Sequence, residues 1–275
     1  MTVLIGWIGV DSRVPCSAYL MSDSRISWND QLGAYDYGRK LFAFKNSPDI
    51  LGYCGDVTFP SMILSQICEL EGNGLLCTAS ESSSQRSQCV LSQIAKQYKA
   101  YPTHMRRYCS IYHISRDLDS SFCAYKYYYD SAHDKWITEY LSTPNDRSEL
   151  IIEDGSGSSE FKRLYLDYQD GDLANTSRNL FQCFCDSLSN TKIASCGGAP
   201  QLVGLYNGKK FNGLSFGIIY QGNRYFYGSP YNDQGDHKSV RWYNENFEIC
   251  DGGTMKILPN AMRQPNPNRM NLATP

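Results

Sequence analysis

The sequence predicts an α+β fold in which two antiparallel sheets are packed between layers of helices. Runs with the two-residue period of strands come in groups, and helical periods come in pairs between those groups. The order along the chain is strands, two helices, strands, two helices, strands. This order is typical of segregated helix and sheet layers and differs from the regular alternation of βαβ units. We therefore expect a four-layer αββα sandwich.

The N-terminal part of the chain predicts two pairs of strands. Apolar residues run over 2–10 and 18–21, and the polar segment DSRVPCS between them predicts a long loop. A second pair, over 40–44 and 50–54, surrounds the turn sequence NSPD. We expect the loop, like the Gly/Ser-rich stretch near Ser82, to cap a ring or to meet a partner.

Helical periods and further strands complete the pattern. Apolar residues recur at helical spacing over 59–70 and 90–98, and again in a stripe near the middle of the chain, at Leu180, Phe181, Phe184 and Leu188. The predicted later strands are CSIYHIS, SFCAYKYYY, KWITEYL, PQLVGLY, LSFGIIY and RYFYG. We expect one domain over 1–259. The tail over 260–275 is rich in Asn, Pro and Arg, and we expect it to be extended or disordered.

Composition excludes several classes of function. The formal net charge is -2 and the pI is about 6.1, which argues against a nucleic-acid partner. No apolar run approaches the roughly 20 residues that span a bilayer, and the N-terminus lacks the cationic start of a signal peptide. The 11 cysteines form no CxxC pair, so we expect reduced thiols in a cytoplasmic protein. The four histidines show no ligand spacing, so we expect neither a metal nor a cofactor.

Four short motifs carry the functional signal: Met1-Thr2, SDSR over 22–25, GRKL over 38–41 and GYCG over 52–55. Each is ordinary when taken alone, as a turn, a cap or a solvated lysine. In this order and at strand ends, they resemble N-terminal nucleophile (Ntn) hydrolases of the proteasome β-subunit type, in particular the bacterial peptidases of the HslV and Anbu groups. The resemblance covers 2–227 and is most specific up to about residue 60.

The resemblance implies that Thr2 is the nucleophile. A threonine hydroxyl needs an adjacent base. Once Met1 is removed, that base is the α-amine of Thr2, which is partly neutral at cellular pH. Lys40 then lies beside the hydroxyl, where its positive charge favours the alkoxide.

Three further residues receive roles from the same resemblance. Asp23 orients Lys40 and balances its charge, because a buried lone charge is costly. The backbone N–H of Gly55 points at the developing oxyanion. Ser156, in the GSGS segment before the third helix, completes the polar shell near the Thr2 amine.

Two features depart from the family pattern. Asp56 stands where these proteins usually carry a second glycine, so we expect a more polar or more strained turn facing the substrate. The late D-x-x-S-G-G-like stretch is matched only in part by ASCGG over 194–198, and Ile193 occupies the position of the acid. The resembled bacterial proteins also vary there.

The resulting prediction is a threonine-dependent peptidase that acts on polypeptides, assembles as a homo-oligomeric ring or helical filament, and works with a regulatory or unfoldase partner. Two alternatives on the same fold stay open. One is a catalytically inactive structural subunit of a ring or filament, and the other is a small-molecule amidohydrolase.

Other candidate sites are weaker. Cys16 lacks a histidine to activate its thiol. The aromatic stretch CAYKYYYD favours a tyrosine-rich sheet face over base stacking, because no basic cluster accompanies it. The GSGSSE run lacks the following lysine of a phosphate-binding loop.

Overall fold

The computed structural model describes residues 2–11, 14–28, 33–208, 212–231, 235–259 and 261. The strands are β1 (Val3–Asp11), β2 (Val14–Ser22), β3 (Ile26–Ser27), β4 (Ala34–Tyr35), β5 (Leu41–Ala43), β6 (Asp49–Gly55), β7 (Cys109–Arg116), β8 (Phe122–Asp130), β9 (Lys135–Leu141), β10 (Glu149–Gly155), β11 (Gln201–Tyr206), β12 (Leu214–Tyr220), β13 (Asn223–Phe226), β14 (Ser229–Pro230), β15 (Arg241–Asn244) and β16 (Ile249–Cys250). The helices are α1 (Thr58–Gly72), α2 (Ser83–Ala100), α3 (Ser158–Gln169) and α4 (Ser177–Asn190). Apart from residue 261, the predicted tail lies outside the described residues.

The strands of the described chain form two main sheets. The larger has the order β10-β1-β2-β11-β12-β13-β14, with β15 beside β12 and β16 beside β15. The smaller has the order β5-β6-β7-β8-β9 and is antiparallel throughout. In the larger sheet β12 and β15 run parallel, and the other pairs are antiparallel. The strands β3 and β4 pair with each other.

The layers follow from the alternation of side chains along β1. Leu4 and Ile8 face the smaller sheet and form a core between the two sheets. Val3, Ile5 and Trp7 face the other way and pack against α3 and α4. Because both faces are covered, the strand is a continuous apolar run, as expected for a strand buried on both sides.

The smaller sheet repeats this arrangement with the other pair of helices. Leu41 and Ile50 face the larger sheet, whereas Phe42, Leu51 and Tyr53 pack against the apolar stripes of α1 and α2. The layers therefore run helix, sheet, sheet, helix, and the predicted αββα sandwich is confirmed.

Two local predictions differ from the structure. The segment VPCS belongs to β2, because Val14 and Pro15 pair with Asp11 and Val10 across a hairpin with a bulge; the predicted long loop is therefore wrong. Residues 12 and 13 lie outside the described residues. The sequence also gave no signal for β10, which pairs with β1 and carries Gly155 to the first strand.

Part of the Gly/Ser-rich stretch near Ser82 has a structural role. The Ser82 side chain accepts a hydrogen bond from the Gln85 N–H, and the Gln85 side chain accepts one from the Ser82 N–H. This reciprocal capping box starts α2. The prediction that the stretch meets a partner stays a prediction, as does the prediction of one domain over 1–259.

The remaining expectations concern helices and cysteines. No helix of the described chain is both long and apolar enough to cross a membrane. All 11 cysteines lie in the described part of the chain as free thiols, and each is buried or half-buried. Small apolar thiols of this kind act mainly as packing residues.

Candidate active site

The backbone at the start of β1 is clamped on two sides. The Val3 N–H donates to Asp23 Oδ1 at 3.2 Å, and the Asp23 N–H donates back to the Val3 carbonyl at 3.3 Å. On the other side, the Thr2 carbonyl accepts from the Gly157 N–H at 3.3 Å and from the Ser156 hydroxyl at 3.5 Å. These contacts fix the backbone of Thr2 relative to both neighbouring strands.

The Thr2 side chain is fully buried. Its Oγ1 has no hydrogen-bond partner among the described residues. A buried hydroxyl without a partner is uncommon in folded proteins and calls for an explanation. A cavity of about 460 Å³ opens nearby against Arg25, Cys196 and Gly197, but Thr2 does not line it.

Lys40 and Asp23 form an ion pair with both side chains completely buried. Lys40 Nζ lies 2.6 Å from Asp23 Oδ1. The second carboxylate oxygen, Oδ2, accepts from the Arg25 N–H at 3.3 Å and the Gly197 N–H at 3.1 Å. Together with Val3, these donors satisfy the carboxylate on every side, which is the condition for tolerating a buried ion pair.

Two glycines shape the strand ends around Thr2. Gly155 has a φ of 104°, and a Cβ there would lie 2.0 Å from the Thr2 carbonyl oxygen and 3.0 Å from Cys54 Sγ. Gly55 has a φ of 96°, and a Cβ there would lie 2.6 Å from the Tyr108 carbonyl oxygen. Only glycine fits such positions without strain. The ends of β6 and β10 therefore meet beside the first residue of the described chain.

The segment over 193–198 contacts both Ser156 and Asp23. Ser195 Oγ lies 2.8 Å from Ser156 Oγ, and Cys196 Sγ lies 3.6 Å from the same hydroxyl. Ile193 packs against the core between the larger sheet and its helices. The site therefore contains a serine pair here, and the position where the resembled family has an acid carries an apolar side chain.

Arg25 holds this segment in place. Its guanidinium donates to the carbonyls of Ala194 and Cys196 at 3.3 and 3.2 Å and forms a two-point ion pair with Asp36. The hydrogen bond from Arg25 outweighs partial burial and lowers the pKa of Asp36 below its ordinary value. The pair therefore stays charged at neutral pH.

The two thiols near Thr2 are not competing nucleophiles. Burial, reinforced by the charge of Asp154, raises the pKa of Cys54 to about 12. Burial also raises the pKa of Cys196. A thiol reacts as its thiolate, so both side chains are unreactive at neutral pH.

The remaining sequence candidates take structural positions. Asp56 Oδ2 accepts from the Phe59 N–H in the first turn of α1 at 3.3 Å, and the Asp56 N–H donates to the Tyr108 carbonyl at 2.9 Å. Cys16 donates to the Gly9 carbonyl at 3.2 Å in the β1–β2 hairpin, and burial raises its pKa.

Sequence analysis predicted Thr2, Asp23, Lys40 and Ser156 as site residues, and the structure brings them together. Lys40 contacts Asp23, and Ser156 contacts the Thr2 carbonyl. Asp23 binds the N–H of Val3, the residue after Thr2. The residues that sequence reasoning missed are Asp36 and Gln201, whereas Arg25, Ser195 and Gly197 lie in the motifs SDSR and ASCGG without a role of their own. Gln201 begins a predicted strand and offered no signal, because its partners lie 161 to 178 positions earlier in the chain.

No protein-family model matches this sequence, and no curated protein matches it. Among solved structures, Anbu (ancestral beta-subunit) from Yersinia bercovieri matches with a TM-score of 0.51 and 13% identity, over 78% of this chain and 86% of that chain. An Anbu (Gly-1) mutant from Hyphomicrobium sp. strain MC1 matches with a TM-score of 0.49 and 14% identity, over 75% of this chain and 81% of that chain. The Yersinia match supports the predicted proteasome-like fold.

Proposed function

We propose that this protein is an N-terminal threonine hydrolase that cleaves amide bonds in polypeptides, with Thr2 as its nucleophile after removal of Met1. The observation that carries the proposal is the Thr2 hydroxyl, buried and without a partner among the described residues, at the start of a strand clamped to Asp23. Leaving such a group unpaired costs about 1–3 kcal/mol. A catalytic role explains why the site retains it.

The proposed chemistry begins with proton transfer inside Thr2. The free α-amine takes the proton of the hydroxyl, and Oγ1 adds to the substrate carbonyl carbon. When the tetrahedral intermediate collapses, the C–N bond breaks and the leaving amine receives the proton. Water then hydrolyses the acyl ester and frees Thr2. With Met1 attached, the nitrogen of Thr2 is an amide and cannot serve as the base.

Lys40 supplies the positive charge in this scheme. Among the described residues its ammonium donates to Asp23 alone, although a lysine carries three N–H donors. The remaining donors can stabilise the alkoxide of Thr2 and disfavour protonation of its amine. Asp23 holds the ammonium in place and compensates its charge.

Gly55 and Ser156 complete the proposed site. The Gly55 N–H is the proposed oxyanion donor at the end of β6, and Ser156 is the proposed polar neighbour of the free amine. The contact of Ser156 with the Thr2 carbonyl supports its role. For Gly55, the support is its position at the end of β6. Its neighbour Cys54 and the Thr2 carbonyl both lie against Gly155.

The choice of polypeptide substrate, and of a ring or helical homo-oligomer served by a regulatory partner, rests on the resemblance of the motifs. The likeness of fold to Anbu (ancestral beta-subunit), which is named as a subunit, supports the assembly part of this choice alone. We place the protein in the reducing cytoplasm, which suits its 11 free thiols.

The test combines processing with covalent labelling. Intact mass of the purified protein should lack Met1, and a peptide β-lactone should acylate Thr2, as located by peptide mapping. We expect Thr2→Ala to abolish both labelling and casein cleavage, with an unchanged circular dichroism spectrum. Thr2→Ser, which retains a hydroxyl, should keep measurable activity. A protein from its native cells that retains Met1 would contradict the proposal.

A non-catalytic proteasome-like subunit is the second candidate. One observation favours it: Ile193 places an apolar side chain where the resembled family has an acid. This candidate predicts assembly without labelling, seen by native mass spectrometry of the Met1-free protein. A small-molecule amidohydrolase would be labelled, but would turn over simple amides rather than unfolded casein.

A further inference from the structure

Gln201 carries a buried amide that neither the motifs nor the comparisons assign to any role. It is the first residue of β11 and is completely buried. Its Oε1 accepts the Lys40 N–H at 3.1 Å. Its Nε2 donates to the Asp23 carbonyl at 3.0 Å and to the Gly38 carbonyl at 2.8 Å. The amide therefore uses both of its N–H donors and its oxygen.

These three bonds join the two sheets at the point where the ion pair forms. Gln201 pairs with Ser22 in the larger sheet, directly before Asp23. Lys40 directly precedes β5, the edge strand of the smaller sheet. The amide thus holds the backbone of Asp23 and the backbone of Lys40, while their side chains meet at 2.6 Å.

We propose that Gln201 is a positioning residue that sets the place of the Lys40 ammonium relative to Thr2. This inference rests on the proposed function of Thr2. An electrostatic contribution to catalysis depends on rigid placement, and a displacement of about 1 Å can cost about 100-fold in rate. The Asp23 side chain fixes the ammonium end of Lys40, and Gln201 fixes its backbone end.

The amide chemistry explains why other side chains do not serve at this position. Glutamate has no N–H to donate to two carbonyls, and methionine has a similar length but neither donor nor acceptor. Asparagine is one methylene shorter and cannot span the same three partners. Gln201→Met removes the three bonds with little change in volume, and Gln201→Asn offers a milder change.

A merely structural role and a positioning role predict different pH profiles. Of the charged groups around Thr2, Lys40 and Asp23 are the ones that Gln201 holds. Asp154 on β10 bonds instead to the Tyr112 hydroxyl, and the nearby thiols of Cys54 and Cys196 stay neutral. If Lys40 moves away, the Thr2 amine is protonated more readily, so acylation should require a higher pH.

The experiment measures acylation of Thr2 by a peptide β-lactone in the Met1-free protein, by intact mass, from pH 5 to 9. We expect Gln201→Met to lower the limiting acylation rate about 10- to 100-fold, to leave half-saturation by the lactone within threefold, and to move the pH midpoint upward. Asn179→Leu is the matched control. It removes a buried amide that bonds to the Tyr168 carbonyl in the α3–α4 layer, away from Lys40 and Asp23. This control should lower the melting temperature but leave the acylation rate and midpoint unchanged.

The outcomes separate the two proposals. If the wild-type protein is acylated and Gln201→Met retains its rate and pH midpoint, the positioning role is overturned while the proposed function stands. If the wild-type protein is not acylated, both proposals fall. Should Gln201→Met not fold, Gln201→Asn decides the question: a reduced rate with an upward midpoint supports the role, and a wild-type profile overturns it.

Discussion

The molecule buries opposite charges in two places, and the two clusters are built differently. At one, Asp49 lies between His113 Nε2 and Arg86 Nε, each 2.7 Å from one of its carboxylate oxygens. At the other, Asp23 pairs with Lys40 at 2.6 Å. All five side chains are completely buried. Burial and pairing alone therefore do not distinguish them.

The difference lies in what the cations do with their remaining donors. Arg86 also donates to the carbonyls of Glu81 and Arg116 and to the Ser115 hydroxyl. The other ring nitrogen of His113 lies 2.8 Å from the Tyr127 hydroxyl. This cluster is complete in itself, which is what a structural role requires.

The second cluster is incomplete. Among the described residues Lys40 donates through its ammonium to Asp23 alone, and the hydroxyl of Thr2 nearby has no described partner. A buried network with spare donors near an unpaired hydroxyl suits a site that receives a ligand. The histidine-containing cluster looks more like a catalytic site in composition, but it leaves nothing free to react.

The largest effect is expected from Lys40→Met. Acylation of Thr2 should fall by roughly 100- to 1,000-fold, as when one electrostatic donor is removed. The protein should also lose about 3–5 kcal/mol of stability, because Asp23 becomes a buried charge without a partner. Urea unfolding and labelling kinetics measure the two effects.

The control for Lys40→Met is the double variant with Asp23→Asn. It should recover part of the stability, because no buried charge is left alone and the asparagine oxygen still accepts backbone N–H groups, but none of the acylation rate. If Lys40→Met alone were acylated at the wild-type rate, the Lys40–Asp23 cluster would be structural, like the Asp49 cluster.

Arg86→Met should affect stability alone. It leaves Asp49 without its arginine, so we expect a loss of about 3–5 kcal/mol in the free energy of unfolding. The rate of Thr2 acylation per folded molecule should stay within twofold of wild type. A tenfold slower rate in molecules shown to be folded by circular dichroism would mean that the two clusters are coupled.

A smaller effect is expected where β10 meets Thr2. Gly155 has a left-handed backbone conformation, and Gly155→Ala places a Cβ against the Thr2 carbonyl. We expect this change to lower the free energy of unfolding by about 2–4 kcal/mol. Acylation of Thr2 should slow as its backbone moves. Gly222→Ala is the matched control, because Gly222 has a φ of 75° and open space around it. It should cost about 1 kcal/mol and leave acylation unchanged.

The smallest effect concerns acid stability. Burial opposes ionisation of Asp49, but the hydrogen bond and charge of His113 and the charge of Arg86 outweigh it and lower the pKa of Asp49. A lowered pKa in the folded state stabilises the protein above the unfolded pKa, and this contribution is lost as the pH falls through the folded value.

We therefore expect wild-type stability to decline as the pH falls below about 4. The decline should be shallower in the double variant Asp49→Asn/Arg86→Met, which has no carboxylate to protonate at this position. Urea midpoints between pH 2 and 6 measure the two slopes. Parallel slopes would show that Asp49 does not contribute to acid sensitivity.

The predictions from sequence succeeded where the signal is local. The apolar stripe with Leu180 and Phe184 lies on α4 as expected, and the alternation over β1 places its side chains on two cores. Prediction failed at VPCS, because this segment pairs with β1 although its proline and polar neighbours favour a loop. It also failed at β10, whose few residues show no clear period of their own.

The sequence by itself determined the strand ends that carry Thr2, Asp23 and Lys40, because strand periodicity and turn residues are properties of neighbouring positions. Only the tertiary structure decided that Gln201 joins Asp23 to Lys40, that Ser195 meets Ser156, and that His113 is enclosed with Asp49. Those contacts join residues between 39 and 178 positions apart, across strands and sheets. No local pattern records them, because they exist only once the two sheets have packed.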